Sequence, residues 1–272
     1  MNTESRNPKT MHLDQMTPLE IARVMNEENA RSVASLEAVL PQIAQAIDMI
    51  TDAFSRGGRL LYMGAGTSGR LAVVDASECP PTFGVSPEKV IGICAGGMEA
   101  LVRSSENLED DPNEGILELQ KRNLNPNDVV VGISASGGAA YVCNAVSYAR
   151  EMGCGTVAIT CNPGSRLGTL ADIDISPATG PEVLSGSTRL KAGNAQKMIL
   201  NMLSTGAMVR SGYVYENLMI NLKPSNQKLR KRVISIVREI TELEEDAAVA
   251  LLEKGAWNIK EAIRLWKEGG AE

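Results

Sequence analysis

The stretch Gly64-Ala65-Gly66-Thr67-Ser68-Gly69, directly behind the apolar run Leu60-Leu61-Tyr62-Met63, constrains this chain more than any other. An apolar strand that enters a glycine-rich turn and continues into a helix-compatible segment, here Arg70 to Val74, builds an anion cradle. Glycine lets the backbone approach closely, amide N–H groups point inward, and the helix N-terminus adds partial positive charge. The same spacing satisfies the dinucleotide pattern G-x-G-x-x-G, so two chemistries compete. The next apolar run, Val90-Ile91-Gly92-Ile93, separates them. A dinucleotide fold places an acidic residue about twenty positions on, at the end of its second strand, to hold ribose hydroxyls. Here that strand ends in Cys94-Ala95-Gly96-Gly97, and Glu88 precedes it. The loop is a phosphate cradle without a ribose partner.

From Arg59 onward the chain alternates strand and helix patterns. Leu60–Met63, Val90–Ile93, Val129–Ile133 and Thr156–Thr160 are apolar, β-branched runs, with Asp172–Ser176 a weaker fifth. Helix-compatible stretches lie between them at Ser68–Ser77, Met98–Leu108, Asn113–Arg122 and Ala139–Met152, and a longer one spans Leu190–Arg210. Nearly continuous apolar strands alternating with helices predict an α/β fold with a parallel sheet covered on both faces. Aromatic residues make up only 3% of the chain, so its core is aliphatic. Ahead of the sheet, a polar arm (residues 1–17) precedes a short helix at Pro18–Glu28. A second helix carries Leu36, Leu40, Ile43, Ile47, Ile50 and Phe54 at alternating steps of four and three, a stripe built for burial within the chain or between subunits. After Lys223-Pro224-Ser225 the chain becomes more charged and reads as a helix, Asn226–Glu239, followed by short helices anchored by Leu251, Leu252, Trp257 and Trp266. The expected organisation is residues 1–56 as arm and helices, 57–224 as the sheet domain, and 225–272 as a small helical region.

A net charge of −6 with no basic face argues against nucleic acid as a partner. Five cysteines without a C-x-x-C pair, and a single histidine in the arm, predict no metal site and a reducing compartment. No segment reads as a secretion signal or as long enough to span a membrane, so a cytoplasmic protein is expected.

Strand ends are where such a sheet binds ligands. Three of them run into small polar loops: Gly64–Gly69, Ser134-Ala135-Ser136-Gly137-Gly138 and Cys161-Asn162-Pro163-Gly164-Ser165. Each alone is an ordinary turn composition. The first two on one sheet edge make Gly66, Thr67, Ser68, Ser134, Ser136 and Gly137 candidates for surrounding a single phosphate with hydroxyls and amides.

Several longer runs then carry a specific resemblance. Gly64 to Leu71, Asp75-Ala76-Ser77-Glu78-Cys79-Pro80-Pro81-Thr82-Phe83-Gly84, Gly180 to Leu184, Gly186-Ser187-Thr188-Arg189-Leu190-Lys191-Ala192-Gly193 and Asn201 to Gly206 are similar to the N-acetylmuramic acid 6-phosphate etherases. The similarity extends from about residue 14 to 240. It implies an SIS (sugar isomerase) fold, a five-stranded parallel sheet sandwiched by helices, with a small C-terminal module like a ubiquitin-associated (UBA) domain. It also implies a homodimer with a phosphorylated amino sugar as ligand and no cofactor. The implied activity is that of a carbon–oxygen lyase: it releases D-lactate from N-acetylmuramate 6-phosphate and leaves N-acetylglucosamine 6-phosphate. The family's two catalytic glutamates fall on Glu78 and on Glu109, within Glu106-Asn107-Leu108-Glu109-Asp110. Glu106 and Lys191 join the substrate-binding set by the same resemblance. The chemistry agrees with carboxylates: removal of the C2 proton of the open-chain sugar expels lactate, so one group takes a proton from carbon and another gives one to the leaving oxygen.

One loop departs from the family. Where its usual sequence is Ser-Gly-Arg-Thr-Pro-Tyr, this chain has Ser136-Gly137-Gly138-Ala139-Ala140-Tyr141, and an arginine's bidentate grip is not replaced by serine. Two further readings therefore stay open, a lyase of the same fold acting on another sugar phosphate and a non-catalytic sugar-phosphate sensor. If Ser68–Ser77 is helical, Glu78 lies about 15 Å from the phosphate loop, at about 1.5 Å per residue. That length predicts a site shared between two subunits, unless the helix ends early and the Cys79-Pro80-Pro81 turn folds Glu78 back.

Overall fold

A computed structural model of the chain describes residues 3–103, 109–222, 224 and 226–269. The chain divides into two compact units, Met1–Ser77 with Glu88–Ala207, and Glu78–Pro87 with Met208–Glu272.

In the first unit, five short strands form one parallel sheet: β1 (Leu60–Gly64), β2 (Val90–Cys94), β3 (Val129–Ile133), β4 (Gly155–Ile159) and β5 (Ile173–Ile175). The five-stranded parallel sheet expected of an SIS fold is present. Every residue of β1 and β3 is buried, as their unbroken apolar composition requires of a sheet covered on both faces. The spatial order β2-β1-β3-β4-β5 reverses direction between β1 and β3. At such a switch point the loops beyond the two strands diverge and open a crevice at their carboxyl ends.

Helices α1 (Pro18–Ser35) and α2 (Leu40–Ser55) precede the sheet. Between the strands run α3 (Gly66–Phe83), α4 (Gly97–Val102), α5 (Glu114–Lys121), α6 (Ala140–Glu151) and α7 (Arg166–Leu170), and α8 (Lys191–Arg210) follows. Tyr141, Val142 and Val146 of α6 pack with Leu61, Met63 and Val130 of the sheet. Helix α2 packs on β3 and β5. The apolar stripe divides: Leu36, ahead of α2, and Ile43, Ile50 and Phe54 within it are buried, whereas Leu40 and Ile47, beside Ile43, line an open apolar groove with Met202, Thr205 and Gly206 of α8.

Three sequence expectations change. Helix α1 is longer than expected, starting from a capping box between Thr17 and Glu20 and running to Ser35. Helix α3 does not stop at Ser77: Pro80 and Pro81 lie inside its last turns, where each lacks the N–H that a helix interior would use. It ends where Gly84, at φ +65°, donates its N–H to the Pro80 carbonyl. The early helix end that would fold Glu78 back is not what forms. Finally, Pro18–Ser55 is long and apolar enough to cross a membrane by length and composition, contrary to expectation. A short 3-10 turn at Glu37–Val39 interrupts it, and its Ile43, Ala46, Ile50 and Ala53 belong to the core.

The second unit holds a two-stranded hairpin, β6 (Val214–Tyr215) and β7 (Leu218–Met219), with α9 (Gln227–Thr241), α10 (Glu245–Lys254) and α11 (Ile259–Gly269). Val233, Ile236 and Val237 pack with Leu252, Ile259 and Ile263 in its own small core.

Candidate active site

The crevice between the ends of β1 and β3 holds a cleft of about 300 Å³. On one side the chain leaves β1 and turns at once into α3. A Cβ on Gly69 would sit 2.5 Å from the Gly64 carbonyl oxygen, so only glycine lets the helix start this close to its strand. The turn presents Gly66, Thr67 and Ser68 to the cleft beside the N-terminus of α3. Ser68 is buried and its hydroxyl donates to Gln196 Oε1 at 3.0 Å, which leaves the helix-start amides and Thr67 as the free donors on that side.

On the other side stand Ser134, Ala135, Ser136 and Ala139. Ser134 Oγ accepts the N–H of Gly137 at 3.1 Å, and Ser136 Oγ accepts that of Gly138 at 3.3 Å. Each hydroxyl is thereby oriented as an acceptor from the backbone and keeps its own proton for an anion. Gly137 has φ +73°, and a Cβ there would meet Ser165 at 2.4 Å, so this turn also requires glycine. At Gly138 the nearest atom to an added Cβ is Ser136 Oγ at 3.7 Å, so a side chain fits.

Glu109 lines the same cleft, and its backbone carbonyl accepts the N–H of Tyr141 near the start of α6. Glu4, Gly186 and Thr188 complete the polar lining. Among the described residues no lysine, arginine or histidine lines the cleft, which presents hydroxyls, amides and a helix N-terminus together with the carboxylates of Glu4 and Glu109.

The sequence-predicted residues thus separate. Gly66, Thr67, Ser68, Ser134, Ser136 and Glu109 come together, with Gly137 shaping the second loop. Glu106 lies outside the described residues. Glu78 is an exposed residue of α3 and falls in the second unit. Lys191 is not a lining residue: its Nζ lies 2.6 Å from Glu28 Oε2, with both side chains 2% exposed. Beside that pair Glu182 accepts the N–H groups of Lys191 and Ala192 at 2.9 Å each, capping α8. Burial raises the Glu182 carboxyl above its ordinary value, against the pull of those bonds. For Glu28, burial pushes upward but is outweighed by Lys191, Asn7 and Arg31, which hold it below the ordinary value.

Sequence reasoning missed Glu4, Ala139, Gly186 and Thr188 as cleft residues. Gly186 and Thr188 sat inside a run that carries the resemblance; Glu4 had no periodicity to mark it.

A parallel sheet of this order, with serine- and glycine-rich loops meeting at its switch point, defines an SIS-fold protein. The family model described as SIS domain matches residues 109–206, and that of the glucokinase regulatory protein N-terminal SIS domain matches residues 42–150. The fold is shared with phosphoheptose isomerases from Francisella tularensis (TM-score 0.55, 20% identity, 71% of this chain and 100% of that one) and Neisseria gonorrhoeae (TM-score 0.54, 19% identity, 72% and 100%). Much nearer in sequence are proteins named N-acetylmuramic acid 6-phosphate etherase. Those of Vibrio atlanticus and Serratia proteamaculans are 51% and 52% identical over 261 residues, 96% of this chain and 85% and 88% of theirs. The chain belongs to the N-acetylmuramic acid 6-phosphate etherase family.

Proposed function

We propose that this protein cleaves the D-lactyl ether of N-acetylmuramate 6-phosphate by elimination and addition of water, giving N-acetylglucosamine 6-phosphate and D-lactate. The observation that carries this reading is that Glu109 lines one cleft together with the hydroxyl-bearing residues Thr67, Ser134 and Ser136. The phosphate is held by helix-start amides and hydroxyls, and the sugar extends toward Glu109, which takes the C2 proton. Loss of that proton from the open-chain aldehyde drives out the C3 oxygen as lactate. Water then adds to C3 of the conjugated intermediate. Glu78 is assigned the proton delivered to the departing ether oxygen.

Twelve residues of helix from Gly66 to Glu78 span about 18 Å at about 1.5 Å per residue, longer than the distance from phosphate to C3 oxygen in a hexosamine 6-phosphate. We therefore assign Glu78 to the site of a second copy in a homodimer, with the open apolar groove of Leu40, Ile47 and Met202 as part of the subunit contact. The protein is read as cytoplasmic, with no nucleic acid partner.

Purified protein incubated with N-acetylmuramate 6-phosphate is expected to release D-lactate, measured by a coupled D-lactate dehydrogenase assay. Absence of lactate across a range of pH, in folded protein, contradicts the reading. Ala139, a cleft residue where the family's loop carries threonine, favours one alternative, a different sugar phosphate. That alternative predicts lactate release far slower than turnover of the other substrate.

A further inference from the structure

Glu4 reaches the cleft from a segment that belongs to no helix or strand, yet this segment is fixed on both sides. Thr3 is fully buried. Its backbone N–H donates to Asn162 Oδ1 at 3.1 Å, and its Oγ1 accepts from Asn162 Nδ2 at 3.1 Å. The same Nδ2 lies 3.3 Å from the Ala135 carbonyl and 3.5 Å from that of Ser136, so one amide ties the arm to the loop after β3. Beyond Glu4, Asn7 Nδ2 donates to Glu28 Oε2 at 3.0 Å and to the Pro181 carbonyl at 3.4 Å. Thr10 Oγ1 donates to the Val183 carbonyl at 2.8 Å.

An arm with this many buried polar contacts delivers its carboxylate to a set place. That carboxylate does not suit the phosphate end of the cleft, because an acceptor-only anion repels a dianion. The hydroxyls of a sugar are donors, and a carboxylate is a strong acceptor for them. We propose that Glu4 is a substrate-positioning residue, clamped through Thr3 and Asn162, whose carboxylate accepts hydrogen bonds from the hydroxyl groups of the bound phosphosugar. The assignment rests on the phosphosugar reading of the cleft, and it makes the N-terminal arm part of the specificity of the site.

Isothermal titration of wild type, Glu4→Gln and Glu4→Ala with N-acetylglucosamine 6-phosphate, and separately with inorganic phosphate, tests it. The Glu4 side chain is exposed, so both variants are expected to keep the wild-type thermal midpoint. Glu4→Ala is expected to weaken the sugar phosphate about tenfold, the worth of one charge-assisted hydrogen bond, with Glu4→Gln in between. Inorganic phosphate is expected to bind both variants as well as wild type or better, since a neighbouring negative charge is gone. Equal weakening of both ligands would mark a structural role and overturn the assignment, as would a variant that binds the sugar phosphate like wild type. Wild-type protein that binds neither ligand would instead overturn the phosphosugar reading, and the Glu4 assignment with it.

Discussion

Lys191 and Glu28 form an ion pair of 2.6 Å with both side chains almost completely out of water. Glu28 is satisfied on every side: Lys191 Nζ and Asn7 Nδ2 reach one oxygen, and Arg31 Nη1 reaches the other at 2.8 Å. Ser32 of α1 donates to the Lys191 carbonyl at 2.9 Å. The pair therefore joins the N-terminal arm, α1 and the start of α8. The family resemblance places Lys191 in the substrate-binding set, but its ammonium is committed to this buried contact. Through Glu28 and Asn7 it connects the start of α8 to the N-terminal arm.

Removing one partner of a buried ion pair leaves the other charge without compensation, at a cost of about 3–5 kcal/mol. Glu28→Gln is expected to destabilise the protein by that order in urea unfolding, while the double variant Glu28→Gln with Lys191→Met recovers a large part of the loss. A single variant as stable as wild type would show that the pair does not hold the arm.

Two neighbouring carboxyls respond to pH with opposite signs. Glu28 is held below its ordinary value of 4.5 in the fold, so its contribution is complete above 4.5 and is lost as pH falls through the folded value. Glu182 is raised above 4.5 by burial, so folding favours its protonated form and stability declines as pH rises through its raised value. Urea midpoints measured from about pH 3 to about pH 8 are expected to lose part of their acid-side drop in Glu28→Gln and part of their decline at higher pH in Glu182→Gln. Unchanged pH profiles in both variants would contradict this.

The space beside Gly138 admits a side chain, and its φ is not in the left-handed region. Gly138→Arg is expected to lower the KM for N-acetylmuramate 6-phosphate by roughly fivefold to tenfold through a charge-assisted contact to the ligand's anionic groups. Steady-state kinetics on folded protein decide it. An unchanged or raised KM would show that an arginine at this position does not reach the ligand.

If Glu78 serves the partner's cleft, two differently broken subunits can repair each other. Glu78→Gln and Ser68→Asp are each expected to be inactive alone, and mixed dimers are expected to regain up to about a quarter of wild-type activity per mixture, since half of the dimers are mixed and one site of each is intact. Subunit exchange is followed with differently tagged proteins. Mixed dimers that form but stay inactive would refute the shared site.

Much of the fold was legible because the strands are short, apolar and β-branched: Leu60–Met63 and Val129–Ile133 match the observed strands almost residue for residue. The two cleft loops were legible because glycine- and serine-rich turns follow two strands whose carboxyl ends share one sheet edge, although each alone is an ordinary turn composition. What the sequence hid is non-local. Proline at 80 and 81 reads as a helix stop, yet α3 continues to a cap at Gly84. A lysine within a family motif reads as a ligand group until Glu28, distant in sequence, is found against it. Glu4 sits in a polar arm with no pattern, and only its neighbours' bonds to Asn162 and Glu28 show that the arm is ordered.

The most direct test of the account is turnover of N-acetylmuramate 6-phosphate in doubly labelled water. Elimination followed by addition breaks the bond between C3 and the ether oxygen and passes through loss of the C2 proton. In deuterated, oxygen-18-enriched water, mass spectrometry is expected to find the heavy oxygen and one carbon-bound deuterium in the N-acetylglucosamine 6-phosphate, and unlabelled D-lactate. Heavy oxygen in the lactate, with no deuterium at C2 of the sugar, would contradict the account.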